Sequence, residues 1–380
     1  MKIMSIVSAR PNFMKIAPFV RALRGHSVDH VLVHTGQHYD HEMSMAFFDE
    51  LQLPKPDVNL GVGSGSYAYQ IGQTMIEFEK TIFACRPDWV VVAGDVNATA
   101  ACSIIARKYQ TRVAHIEAGL RSNDWDMPEE INRIVTDRVS NLLFTPDSFA
   151  DDNLLREGVL PEAICRVGNI MIDTLAHERE RSASLDPTEF ISRNLFVPRP
   201  LALTSGGYLL LTMHRPSNVD DPVTLTALVD VMLELADAAP LIFPIHPRTK
   251  LRLEDFNLWD RFLTHTRVLP IKPLTYREML HVTSGARVVI TDSGGLQEET
   301  TVLGVPCLTL RWKTERPVTL IENGGTSRLV GSDPAQIREG FQLSLTQCRT
   351  AAPPALWDGH TAERIVQRIL QTYSQRPAAY

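Results

Sequence analysis

Several groups of side chains in this sequence have the types and spacing to do chemistry, and the most informative is Ser293-Gly294-Gly295 with Glu298 and Glu299 close behind. Val288, Val289 and Ile290 form a short apolar run that fits a buried strand, and helix formers resume at Leu296. Ser293 is then the natural N-cap, and the two glycines take the first helical positions. The backbone N–H groups there have no partner inside the helix and lie at its positive end, while glycine lets an anion approach without meeting a Cβ. A phosphate or diphosphate is the expected guest. Glu298 and Glu299 lie too far along to compete for those N–H groups but are placed to accept from sugar hydroxyls, so the combination suggests a nucleotide sugar. A packing turn followed by exposed glutamates is the competing reading of the same stretch.

Three carboxylates form a second group. Asp95 follows the apolar run Trp89 to Val92, and Glu117 follows Arg112 to Ile116. Open α/β sheets bind ligands outside the carboxyl ends of their strands. A carboxylate ending a nearly apolar strand is expected to be partly desolvated, which raises its proton affinity and suits it to acid or base work. Capping the helix from Ala98 to Tyr109 is the structural alternative for Asp95. Glu129 lies in Met127-Pro128-Glu129-Glu130, where a first-turn proline and glutamates that complement the helix dipole are a sufficient structural explanation. If Asp95, Glu117 and Glu129 converge on one cleft, three carboxylates facing an anion call for chemistry that uses them.

Cations stand at two further strand tips. After Lys2 to Val7 come Arg10, able to grip a phosphate bidentately, and Lys15, able to add a point charge; solvated loop and helix residues are the alternative. After Tyr208 to Thr212 come His214 and Arg215, where His214 can donate to a diphosphate or shuttle a proton.

The elements that must position these groups alternate strand and helix. In the first half, strands at His30 to His34, Leu142 to Thr145 and Ile164 to Val167 join those already named, with helices at Phe13 to Leu23, Tyr67 to Ala84 and Ile170 to Arg181 between them. Gly61-Val62-Gly63-Ser64-Gly65 is not a dinucleotide fingerprint, because Pro54, Pro56 and Asp57 precede it where a strand is needed; it reads as a loop before a helix. Residues 182–207 loosen into prolines and glycines and read as an interdomain connection. A second α/β unit follows, and it ends in an amphipathic helix from Glu363 to Thr372.

With 380 residues, 44% of them hydrophobic, the chain is long enough for two cores. A formal net charge of −6 provides no broad basic field for nucleic acid or an anionic membrane, so phosphate recognition must be local. No stretch approaches the ~20 apolar residues of a membrane span, and the N-terminal apolar run is too short for a signal peptide, so a cytoplasmic location is expected. The five cysteines, Cys85, Cys102, Cys165, Cys307 and Cys348, lack the pairing of a disulfide frame and the spacing of a metal site, and read as buried thiols.

The segments ARPNFMKIAP, HTGQHYD, AGD, HIEAGLRS, MPEEINR, HRPSNVD, PIHPRT, TDSGGLQEE, TERP and GHTAERI, in this order across nearly the whole chain, resemble the non-hydrolysing UDP-N-acetylglucosamine 2-epimerase family. The resemblance implies an α/β fold of two Rossmann-like domains facing across a cleft, as in GT-B glycosyltransferases. Residues 1–181 would form the carboxylate-bearing domain, 182–207 the linker and 208–357 the UDP-binding domain, with a helix in 358–380 crossing back to the first domain. It further implies inversion at C2 of the sugar without NAD or metal, by anti elimination of UDP to a 2-acetamidoglucal and re-addition, in a homodimer. By the same resemblance Asp95, Glu117, Glu129 and His214 match catalytic positions. Arg10, Ser293 and Glu299 match nucleotide-binding ones, joined by Lys15 and Arg316 and by the glycines Gly294 and Gly295 of the cradle.

The expected activity is interconversion of UDP-N-acetylglucosamine and UDP-N-acetylmannosamine. The alternatives are an epimerase of a related UDP-2,3-diacetamido sugar, a hydrolysing relative, a GT-B glycosyltransferase that needs an acceptor, and a catalytically silent nucleotide-sugar sensor. Asn12 stands where many members carry Glu, and Ser217 replaces a common acidic residue; either change can alter the sugar accepted. Tyr39-Asp40-His41-Glu42 replace glutamines that in many bacterial members grip an activating second UDP-N-acetylglucosamine.

Overall fold

A computed structural model describes residues 1–8, 10–36, 48, 50–200, 203–347 and 352–375, apart from the side chains of Arg10 and Pro11. The expectations placed on Tyr39-Asp40-His41-Glu42, on Cys348 and on the Arg10 side chain lie outside the described residues. The chain divides into two compact units, Met1–Thr174 with Ala355–Tyr380, and Leu175–Pro354.

The first unit is built on β1 (Lys2–Val7), β2 (Asp29–His34), β3 (Val58–Asn59), β4 (Trp89–Ala93), β5 (Arg112–Ile116), β6 (Leu142–Thr145) and β7 (Ile164–Arg166). Their order in the sheet is β3-β2-β1-β4-β5-β6-β7, and the described pairings are parallel. Parallel strands covered by helices on both faces read as continuous apolar runs, as β4 does with all five residues buried. Met4, Ile6, Val90, Val92 and Val113 pack one face of this sheet against Phe78 and Ile82 of the helix Tyr67–Cys85 and Cys102 of the helix Asn97–Lys108.

The second unit repeats the arrangement with β8 (Leu209–Thr212), β9 (Leu241–Pro244), β10 (Val268–Ile271), β11 (Val288–Thr291), β12 (Cys307–Thr309) and β13 (Ser327–Leu329). Their order is β10-β9-β8-β11-β12-β13, again parallel. Successive strand residues face opposite sides. Leu209, Leu211, Val288 and Ile290 therefore join one core, while Leu210 and Val289 join another across the sheet. Each unit is Rossmann-like, and the fold as a whole is GT-B-like.

The segment expected as a loose linker is structured. Asp186 caps a helix at Pro187–Asn194 by accepting from Thr188 N at 2.9 Å, and Phe190 and Ile191 enter the core of the second unit. Two helical turns give periodicity too few repeats to register. The edge strands β3 and β13 escape a pattern search for the same reason. In the first unit the helix Thr361–Ser374 buries Ile365, Val366 and Ile369 and packs against the helix Arg10–Leu23. The Asp173 carboxylate holds its start by accepting from Thr361 N at 3.1 Å and Ala362 N at 2.7 Å. Among the described residues, no helix is long and apolar enough to cross a membrane.

Candidate active site

In both sheets the strand order reverses beside the first strand, between β1 and β4 and between β8 and β11. Such switch points open crevices at the carboxyl ends of the strands, and the candidate residues of each unit follow strands at or next to its own reversal.

Glu117, directly after β5, has a left-handed backbone with φ 70°, a strained state for a residue with a Cβ and one that clusters at functional positions. Its amide and that of Ala118 donate to Phe144 O at 3.1 and 3.0 Å, which fixes the turn. The carboxylate forms a buried ion pair with Lys15 Nζ. Lys15 was expected to face a phosphate; here its ammonium is buried, and a buried charge needs a counter-charge, which Glu117 provides. Gly94 leaves room for this contact, since a Cβ there would lie 2.7 Å from Lys15 Nζ.

Asp95 is not a helix cap. The N-cap of Asn97–Lys108 is Val96, and the Asp95 carboxylate instead pairs with the buried Arg133. The three carbonyls leading into and including this residue, those of Ala93, Gly94 and Asp95, accept from Asn12 Nδ2 at 2.7 Å, His115 Nε2 at 2.9 Å and Asn132 Nδ2 at 2.9 Å. Asn12 thus has a structural role at the strand tip. His115 in turn meets Asp137 Oδ1 at 2.6 Å through Nδ1. Burial favours a neutral Asp137 carboxyl, yet the His115 ring and the Arg121 guanidinium outweigh it and hold Asp137 below the usual carboxylate range.

The adjacent glutamates of Met127-Pro128-Glu129-Glu130 face different surroundings. Glu130 is buried and accepts from Ser122 N at 3.1 Å, Asn123 N at 2.9 Å and Arg133 Nη2 at 2.7 Å, so it braces the turn before its helix. Glu129 is exposed in the first turn. Arg133 links Glu130 to Asp95 and is the site residue that motif reading passed over; its three-residue spacing from Glu130 on one helix was the available signal.

In the second unit the helix Gly294–Leu303 begins as expected, with Ser293 as N-cap and both glycines at its first positions. Ser293 Oγ makes no capping bond, and the Ser293 carbonyl accepts from Gln297 Nε2 at 3.4 Å. A Cβ on Gly295 would find nothing nearer than Ser293 Oγ at 4.0 Å, whereas one on Gly294 would lie 2.5 Å from Arg316 Nη1. Arg316 is buried over this turn and fixed by Glu298 Oε1 at 2.7 Å and by Glu315. Glu298 was expected to accept from sugar hydroxyls; facing inward on its helix, it pairs with this guanidinium instead. Glu299 is also buried.

Asp292, fully buried, ties this cradle to the tip of β8. Its Oδ2 accepts from His214 N and Arg215 N, both at 2.8 Å, and from Asn218 Nδ2 at 3.1 Å; its Oδ1 lies 2.9 Å from His214 Nδ1. Burial opposes its ionisation, but the His214 ring and these backbone N–H groups hold Asp292 below the usual carboxylate range. His214 keeps 40% of its side chain exposed. Arg215 Nε donates to Asp292 O at 3.0 Å, and burial together with the nearby Arg311 charge lowers the Arg215 pKa, as in a guanidinium cluster that an anion would relieve. This end of the second sheet therefore offers helix-start N–H groups, arginines and one anchored imidazole, whereas the first offers carboxylates held by cations.

A family model described as UDP-N-acetylglucosamine 2-epimerase matches residues 21–370. The UDP-N-acetylglucosamine 2-epimerase of Methanocaldococcus jannaschii is 40% identical over 377 residues, covering 99% of this chain and 100% of that one. The UDP-2,3-diacetamido-2,3-dideoxy-D-glucuronate 2-epimerase of Pseudomonas aeruginosa is 39% identical over 374 residues, covering 97% and 99%. A crystal structure of the Methanocaldococcus jannaschii enzyme in complex with UDP-GlcNAc and UDP matches with a TM-score of 0.88 at 40% identity, covering 98% of this chain and 100% of that one.

Proposed function

Because the chain belongs to the UDP-N-acetylglucosamine 2-epimerase family, we propose that it is an isomerase interconverting UDP-N-acetylglucosamine and UDP-N-acetylmannosamine by anti elimination of UDP and re-addition. In the first step the C1–O bond breaks, its electron pair leaves with UDP, and a base takes the C2 proton as the C1–C2 double bond of a 2-acetamidoglucal forms. A C2 hydrogen is weakly acidic, so stabilising the departing diphosphate must supply much of the driving force. The Ser293 turn is suited to holding that diphosphate, because Gly294 and Gly295 present helix N–H groups, Arg316 lies buried over them, and Ser293 Oγ is not used as a cap. Glu299 and Arg10 are the further nucleotide-binding candidates, on the resemblance of their motifs.

Inversion at C2 requires that the proton leave one face and return to the other, which two groups do more readily than one. Asp95 and Glu117, on the tips of paired strands and each with its own cation, are the candidates for that exchange, with Glu129 as the exposed third carboxylate. His214, anchored through Nδ1 by Asp292, has its Nε2 side for a proton or a hydrogen bond to the leaving oxygen. The observation that carries this reading is the helix start at Ser293, where Gly294 and Gly295 take the first positions, Ser293 Oγ makes no capping bond and Arg316 is buried alongside.

We further place the enzyme in the cytoplasm as a homodimer. Free thiols at Cys85, Cys102, Cys165 and Cys307 suit a reducing compartment. Tyr69, Ile76 and Phe83, about half exposed at seven-residue spacing on one helix face, supply an apolar stripe suited to a second copy.

The test is incubation with UDP-N-acetylglucosamine alone in deuterated water. Deuterium at C2 of both epimers, with UDP still attached, is expected. Stoichiometric free UDP with released sugar indicates hydrolysis, and an unreacted, bound ligand sinks the assignment.

A further inference from the structure

His115 lies inside β5, where every neighbouring strand residue is apolar except Arg112 at its start. Its side chain is fully buried, and both ring nitrogens have partners: Nε2 meets Gly94 O at 2.9 Å and Nδ1 meets Asp137 Oδ1 at 2.6 Å. A carbonyl oxygen only accepts, so Nε2 must carry a hydrogen. Asp137 Oδ2 accepts from Gly119 N at 3.1 Å and lies 2.8 Å from Arg121 Nη1, so that carboxylate is surrounded by donors and is ionised. An ionised carboxylate also only accepts, so Nδ1 must carry a hydrogen as well.

We infer that His115 is a buried imidazolium whose two N–H groups bolt the Gly94–Asp95 strand tip to Asp137, making His115 and Asp137 positioning residues for the carboxylates that do the proton chemistry. Asp137 stands on the helix Pro128–Val139, and Arg121, its second charged partner on the turn after β5, is held in turn by Glu157, which accepts from Arg121 Nε at 2.7 Å. One aspartate thereby meets three parts of the site. Through His115 it holds the backbone entering Asp95, through Gly119 N it holds the turn that begins with Glu117, and its own helix carries Glu129 and Arg133. A glycine is required at 119, where φ is 81° and a Cβ would lie 2.5 Å from Ala150 O, so this turn has no freedom to adjust if the carboxylate is lost. The other carbonyls of the tip take neutral amide donors from Asn12 and Asn132. Only the His115 contact is charge-assisted, and such bonds are roughly twice as strong as neutral ones.

The positioning role rests on the proposed epimerase reading; the protonation state does not, and the two are tested apart. In unmodified protein labelled with ¹⁵N-histidine, the His115 ring, assigned by its disappearance in His115→Asn, is expected to show two protonated nitrogens at neutral pH with slowly exchanging N–H hydrogens. A single protonated nitrogen overturns the imidazolium. In Asp137→Asn, kcat for C2 deuterium exchange is expected to fall by about 10²-fold with UDP affinity unchanged, because a misplacement near 1 Å suffices for such a loss. Should that variant not fold, His115→Gln, which keeps one donor, serves in its place with a kcat loss of about 10-fold expected at unchanged UDP affinity. Either variant folding and turning over at the unmodified rate removes the positioning role. An unmodified protein that is inactive toward UDP-N-acetylglucosamine removes the epimerase reading and leaves the imidazolium to be judged by its spectrum.

Discussion

Asp292 in the second unit and Asp137 in the first are both buried carboxylates held below their ordinary range by charged and hydrogen-bonded neighbours, yet they are used differently. Asp292 sits next to the anion cradle and grips the β8 tip directly, through the backbone and ring of His214. Asp137 lies a helix away and reaches the β4 tip through His115. The difference follows the sign of what each unit presents. The proposed diphosphate site is built from N–H groups and arginines, so a buried carboxylate can stand against it and be stabilised by it. At the β4 tip the group to be held is the Gly94 carbonyl, which only accepts, so a carboxylate cannot meet it and the His115 ring stands between them.

If that contrast is correct, substitutions in the two units break different steps. Glu117→Gln is expected to have the largest effect, a loss of about 10³-fold in C2 deuterium incorporation, with UDP binding by calorimetry unchanged; loss of UDP affinity instead would erase the division. Gly294→Val comes next. It places a side chain against Arg316 and over the helix start, and UDP affinity is expected to weaken by about 10²-fold as charge-assisted N–H contacts are lost. Retained affinity would move the phosphate elsewhere. Asp292→Asn weakens the anchor of the His214 ring, and kcat is expected to fall by about 10-fold at unchanged UDP affinity, as for other residues that orient a site group. An unchanged kcat would mean that Asp292 serves only the backbone.

The smallest expected effect is on acid stability, and it applies to both units. The folded pKa values of Asp137 and Asp292 are depressed, so their contributions are present above the unfolded value of about 3.9 and are lost as pH falls through the lower folded values. Through these two groups urea midpoints should drop as pH falls below about 4, and the drop should be shallower in Asp137→Asn. A variant as acid-sensitive as the unmodified protein would contradict the depressed carboxyl at that position.

Much of this site is legible along the chain because the signals are local. Ser293-Gly294-Gly295 after an apolar run announces a strand, a cap and a helix start, and the fold places them so. Asp95 and Glu117 stand where two apolar runs end, and both are found at strand tips. The expectations that changed concern which way a side chain turns once its element is packed. Glu129 and Glu130 are adjacent and chemically alike; the helix rotates one outward and the other onto Ser122 and Arg133. Glu298 turns to Arg316, and Lys15 turns to Glu117.

The sequence by itself determined the parallel α/β architecture and the strand tips and helix start on which the candidate residues stand, because strand runs, turn glycines and helix caps act over a few residues. Tertiary structure alone decided the partners. Lys15 and Glu117 are brought together from the helix Arg10–Leu23 and the end of β5, as are His115 and Asp137 from β5 and the helix beyond it, and His214 and Asp292 from the ends of β8 and β11. A buried charge is stable only beside its complement, and no periodicity along a chain records which complement the sheet order will deliver.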